Sequence, residues 1–161
     1  MIFNLAILLA ISLTFPLSIS AKELKVFPPS YRWAKVVAGE KATMPVSVLV
    51  RNNSAQPRMY HLRVKTPVDL QIDLENGYAV IPDIAWVSFS EVMVQVPAQS
   101  SRSVKVFAQI PAEVKCEAPW IFFVEVKEEV ARYGYLQGAP DMFALAAYSK
   151  IYLVPEKKNS D

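Results

Sequence analysis

The sequence predicts an all-β protein, an antiparallel sandwich of about seven strands. Three observations lead there. Apolar residues recur with a period of two along most of the chain, turn-forming residues separate these runs at short intervals, and no stretch after residue 21 sustains a helical period.

The alternation is clearest in Met44-Pro45-Val46-Ser47-Val48-Leu49-Val50-Arg51 and in Tyr60-His61-Leu62-Arg63-Val64-Lys65, where apolar and basic residues take turns. It returns in Val92 to Val96 and in Val104 to Ile110. Trp120 to Lys127 begins as a more continuous apolar run and then alternates. One face of each segment belongs in a core and the other in water. Between them stand Ala38-Gly39-Glu40-Lys41, Asn52-Asn53-Ser54-Ala55-Gln56-Pro57 and Pro97-Ala98-Gln99-Ser100-Ser101, polar stretches carrying the residues that turn a chain. The expected strands are 24–28 with 33–38, 42–51, 58–66, 86–96, 102–110, 119–128 and 143–154. The 67–85 segment reads as an irregular connection with a short edge strand near Tyr78 to Ile81, and 129–142 as a long loop.

The N-terminus has the order of a secretory leader. An apolar run from Leu5 reaches Phe15, Pro16 breaks it, and small residues lead to Ala21 before the first charges, Lys22 and Glu23. Cleavage after Ser20 or Ala21 is expected. The region before the run has no Lys or Arg, which leaves an uncleaved anchor as the alternative, although Pro16 ends the run short of the roughly 20 residues of a membrane span. Removing 21 of 161 residues leaves 140, about one domain. The expected organisation is a leader over 1–21 and one sandwich over 22–161, periplasmic or secreted, with no membrane span after the leader is removed.

Composition narrows the function. A formal charge of +2 argues against nucleic acid as the main partner. Cys116 is the only cysteine and His61 the only histidine, so there is no intrachain disulfide, no pair of ligands repeated to make a zinc site, and no obvious nucleophile with its base. No cofactor, metal or catalytic residue is expected, and the chain reads as non-enzymatic. Asp69, Asp73, Glu75 and Asp83 gather in the 67–85 connection, where a solvated acidic loop is the default reading. Trp33, Trp86 and Trp120 are expected in the core.

Some phrases resemble a known family. Val26-Phe27-Pro28-Pro29, an apolar strand, Gly39-Glu40, and a strand ending in Arg51-Asn52 follow the order of immunoglobulin-like sandwiches of the PapD-like and major-sperm-protein-like kind. Pro119 to Val126 resembles the aromatic strand of the first domain of PapD-type pilus-assembly chaperones, and Leu145 to Pro155 resembles that domain's last strand. In that family a lysine five residues before a proline acts with an arginine of the first strand to hold the C-terminal carboxylate of a pilus subunit. Lys150 stands five before Pro155, and Arg32 is the matching arginine. The resemblance therefore implies a protein partner, bound by strand addition, with Arg32 and Lys150 as its anchor and Phe143 and Leu145 projecting at it. Arginine and lysine are suitable donors for a carboxylate, one as a fork and the other as a point charge.

Two other readings stay open. Phe143, Leu145, Ile151 and Leu153 share one parity of a strand and fit a plain core face equally well. The family has two domains, and the resemblance covers one, so it does not supply the second wall of the binding cleft. A generic immunoglobulin-like accessory or adhesion module of the cell surface is the main alternative. A small carbohydrate-active domain is the other.

Overall fold

The computed structural model describes residues 24–115, 117–129 and 145–156. The expected leader, Cys116, Phe143, most of the expected 129–142 loop and the charged C-terminal end lie outside the described residues.

The first strand, β1 (Leu24–Phe27), stops at Pro28-Pro29, and β2 (Ser30–Val36) starts immediately after. Proline has no N–H to give a ladder, so the pair is a natural place to leave one sheet for another. β1 runs antiparallel to β4 (Val48–Asn52), whereas β2 lies parallel to β12 (Ala146–Pro155) in the opposite layer. β2 begins three residues before the expected strand at 33, and this brings Arg32 into the ladder.

The expected strand over 42–51 is divided, with β3 (Lys41–Thr43) and β4 on either side of Pro45. β5 (Arg58–Lys65) matches its expected span closely. The short edge strand is β6 (Ala79–Val80), paired parallel with β11 (Trp120–Glu128).

The single strand expected over 86–96 is corrected to two, β7 (Val87–Phe89) and β8 (Met93–Val96). β7 pairs with β10 (Val106–Gln109), then the chain crosses layers and β8 pairs with β5. Leu62 N–H donates to Val92 O at 2.8 Å where it arrives. The expected strand over 102–110 is likewise split, into β9 (Ser100–Val104) and β10, at Lys105. There Ser90 exchanges with the Lys105 backbone, its N–H donating to Lys105 O at 2.9 Å and its Oγ accepting from Lys105 N at 3.0 Å.

One layer thus has the order β2-β12-β11-β5-β8, and the other holds β1-β4-β9 and β3-β10-β7. The parity read from the sequence supplies the filling. Val48 and Val50, Val104 and Val106, Ile151 and Leu153 all point between the layers and are fully buried, with Phe122 and Leu62 among them. Trp33 and Trp120 are buried as expected; Trp86 is partly buried and meets Trp120 at 5.6 Å between ring centroids. Each large apolar side chain so removed from water contributes about 1.5–3 kcal/mol before the entropy of ordering it is counted.

Polar residues are buried as well, Asn52 among them. Asn52 ends β4 on the core side with no exposed surface. Its Nδ2 donates toward Gln56 O, Val96 O and Pro97 O at 2.8, 3.1 and 3.2 Å, and its Oδ1 accepts from Ser54 N at 2.9 Å. The amide ties the turn after β4 to the end of β8, in the other layer.

Candidate functional site

The outer face of the β2-β12-β11-β5-β8 sheet carries the residues of interest. Along β12 the side chains of Ser149, Ile151 and Leu153 point inward, so Tyr148, Lys150 and Tyr152 point outward. Along β2 Trp33 is inward and Arg32 outward. In the parallel ladder Tyr152 stands opposite Arg32 and Lys150 opposite Ser30. Arg32 and Lys150 are therefore diagonal neighbours on one face, about 8 Å apart between Cα atoms from the strand rise and spacing. The two residues named from sequence thus stand on adjacent strands of one sheet face. The Ser149 hydroxyl donates to Pro28 O, and Lys150 N–H donates to Pro29 O at 2.9 Å, which fixes β12 against the point where the first strand changes layers.

Sequence reasoning missed how covered this face is. β11 is buried on both sides: Phe122, Val124 and Val126 face the core, while Ile121, Phe123 and Glu125, on the outer side, are only 2%, 5% and 7% exposed. The Lys150 ammonium lies over the rings of Phe123 and Tyr152, at 5.8 and 5.7 Å from their centroids. Glu125, a carboxylate largely out of water, stands opposite Arg63 in the ladder and accepts from the Tyr148 hydroxyl at 3.1 Å. Burial, and then this hydrogen bond, pushes the Tyr148 phenol above its ordinary value.

The 66–80 segment folds back toward this face. Asp69 closes its start, accepting from Thr66 N at 2.7 Å and Thr66 Oγ1 at 2.9 Å. Tyr78 N–H then donates to Glu75 O at 3.2 Å across Asn76-Gly77, and Gly77 has φ of 81°, the left-handed region a side chain disfavours. This turn presents Glu75 and Tyr78 to β12. The Tyr78 and Tyr152 rings meet at 5.0 Å. Lys150 Nζ lies 2.5 Å from Glu75 Oε1, and the Tyr152 hydroxyl is 3.1 Å from each carboxylate oxygen of Glu75. Glu75 is therefore no free member of a solvated acidic loop. The Asn76-Gly77 pair is a turn signal in the sequence that could have pointed to it.

The Lys150 hydrogen bond holds the Glu75 carboxyl below its ordinary range, Tyr152 adding to it. The Glu75 hydrogen bond in turn holds Lys150 above its own. A lowered carboxylate contributes stability at neutral pH that is lost as pH falls through its folded value. A raised lysine contributes stability that persists through neutral pH and is lost on alkaline titration. Both groups are too exposed for the sum to be large. In an NMR titration the Glu75 carboxyl carbon should have a midpoint below the ordinary glutamate value, and Lys150→Met should return it there. An unchanged midpoint in the variant would rule out the pairing.

Among the described residues the Arg32 guanidinium has no ion-pair or hydrogen-bond partner. Leu145 is partly buried and packs against the core, immediately before β12, with Glu128 N–H donating to its carbonyl at 2.8 Å. It is therefore not the freely projecting side chain that the resemblance implied. No cluster of three metal-ligating side chains occurs among the described residues, and none of their helices is long and apolar enough to cross a membrane.

No protein-family model and no curated protein sequence matches the chain. Solved structures do. A chain of the Salmonella enterica SafA pilin–SafB chaperone complex superposes with a TM-score of 0.54 at 14% identity, covering 83% of this chain and 54% of that one. The E. coli chaperone DraB gives 0.53 at 10%, covering 82% and 55%. PapD-like domain 7 of human CEP192 gives 0.50 at 12%, covering 94% and 100%. The fold is PapD-like. At such identities the likeness is one of fold, and function has to be argued from the site. The PapD-like chain spans about half the length of the chaperone chains it matches and the whole of the CEP192 domain. These neighbours are chaperone and PapD-like domains rather than enzymes.

Proposed function

We propose that this PapD-like domain is an exported protein-binding module that works as a pilus-assembly chaperone domain does, holding the C-terminal carboxylate of a partner on Arg32 and Lys150 while the partner adds a strand. The observation that carries the reading is that those two cations lie diagonally on one sheet face, one on β2 and one on β12. A carboxylate placed between them receives charge-assisted hydrogen bonds from both sides. Strand addition supplies main-chain hydrogen bonds with side-chain pockets for specificity. Phe143 and Leu145 belong to this reading as the apolar contacts beside the anchor. Leu145 would contribute through the part of its surface that the core leaves open. The apolar leader of the sequence, and neighbours that include the periplasmic chaperone SfaE, support a site of action outside the cytoplasm.

The test is a matched pair of peptides of alternating valine and threonine, one ending in a free carboxylate and the other amidated. Calorimetry should find the acid form binding at least about tenfold more tightly, since hydrogen bonds to charged groups are worth about 1.5–3 kcal/mol. Equal affinities would sink the anchor.

The match over the whole of a single CEP192 domain supports a second reading, a generic immunoglobulin-like accessory module. Such a module would be indifferent to amidation of the peptide, so the same experiment separates the two.

A further inference from the structure

The residue that touches the proposed anchor is itself a carboxylate. Glu75 makes the two contacts expected of a bound terminal carboxyl group: one oxygen on the Lys150 ammonium and both within reach of the Tyr152 hydroxyl proton. It is delivered by a turn, not by a strand, so no ladder hydrogen bond fixes its position. Glu75 and Lys150 are both partly exposed, and an exposed ion pair exchanges readily because water competes for both groups. Arg32, a diagonal neighbour, is left without an anionic partner among the described residues.

From this we infer that Lys150 and Tyr152 form a carboxylate receptor kept closed by the chain's own Glu75, and that a partner's carboxylate binds by displacing Glu75. The inference rests on the carboxylate-anchor reading above and adds two things to it. Tyr152 becomes a binding residue, the donor that sets the orientation of the carboxylate plane. Glu75 becomes an internal competitor that lowers affinity for weakly matched anions and reoccupies the site when the partner leaves. The exchange swaps one carboxylate for another and leaves Lys150 neutralised in both states. A ligand that also engages Arg32 wins because Glu75 does not.

The experiment measures binding of the same acid and amidated valine–threonine peptides to the natural protein, to Glu75→Gln and to Asp73→Asn. Asp73 sits on the same segment, so its replacement removes an equal charge without removing the Lys150 contact. Glu75→Gln should tighten binding of the acid peptide about two- to fivefold, the range set by an exposed ion pair, and leave the amidated peptide unchanged. Asp73→Asn should change neither. Saturating the natural protein with acid peptide should also return the Glu75 carboxyl to its ordinary titration range, because it no longer touches Lys150. If acid peptide binds the natural protein and Glu75→Gln equally, or Asp73→Asn tightens it as much, the closure by Glu75 is wrong while the anchor stands. If no variant distinguishes acid from amidated peptide, the anchor reading itself fails and the closure with it.

Discussion

Asn52→Ala is expected to destabilise the domain by about 3 kcal/mol, a loss in the class reserved for broken buried networks. Asn52 has no exposed surface, and its amide serves three carbonyls while its oxygen takes the Ser54 N–H. Truncation strands the Val96 carbonyl and the Ser54 N–H, whose bonds to the amide are buried, while the Gln56 and Pro97 carbonyls lie nearer to solvent. Each unsatisfied group costs about 1–3 kcal/mol, and partial relaxation of the turn recovers some of it. The turn has other ties, including the Gln99 amide, which donates to Ser54 O at 3.1 Å, so the fold should survive in a weakened form. Urea unfolding gives the comparison directly. A midpoint corresponding to less than about 1 kcal/mol of loss would mean that the network is dispensable.

Lys150→Ala is expected to weaken binding of a carboxylate-terminated peptide by about 2 kcal/mol or more, roughly thirtyfold. Two effects act in the same direction. The ammonium that meets the ligand is gone, and Glu75, which it had neutralised, is left as an unpaired negative charge beside the incoming carboxylate. Adding Glu75→Gln to Lys150→Ala should therefore recover part of the loss, and a double-mutant cycle would return that coupling as a number. Folding should be nearly untouched, because replacements of exposed charges usually stay within about 0.5 kcal/mol. A variant that unfolds at the natural midpoint yet binds acid peptide as well as the natural protein would remove Lys150 from the site. Arg32→Ala should show a smaller effect of the same sign. Its guanidinium is exposed and more strongly screened by solvent.

The comparison of sequence with structure divides along physical lines. Val48 and Val50, Val104 and Val106, Ile151 and Leu153 were assigned to one side of their strands by alternation alone, and all six are buried. The same parity put Lys150 and Tyr152 on the opposite face, and the alternation of side chains leaves them nowhere else to go. The resemblance in β2 and β12 supplied the match between Arg32 and Lys150; their being neighbours required the parallel pairing of β2 with β12.

Periodicity is a local property, set by the pleat of a single strand, so it was readable before the fold was known. Pairing is not local. That the chain leaves one layer between Phe27 and Ser30, and again between Phe89 and Met93, follows from which edges were free to accept it. The second buried face of β11, with Ile121 and Phe123, was read as a more continuous apolar run without any means of saying what covers it. Glu75 was least legible. Its role depends on a loop returning across about 75 residues of sequence to a lysine on the last strand, and only the tertiary structure closes that distance. Sequence by itself determined which residues each strand offers to the core and which to the outside. Tertiary packing decided which strands lie side by side, and therefore that the outward Lys150 meets a carboxylate of its own chain.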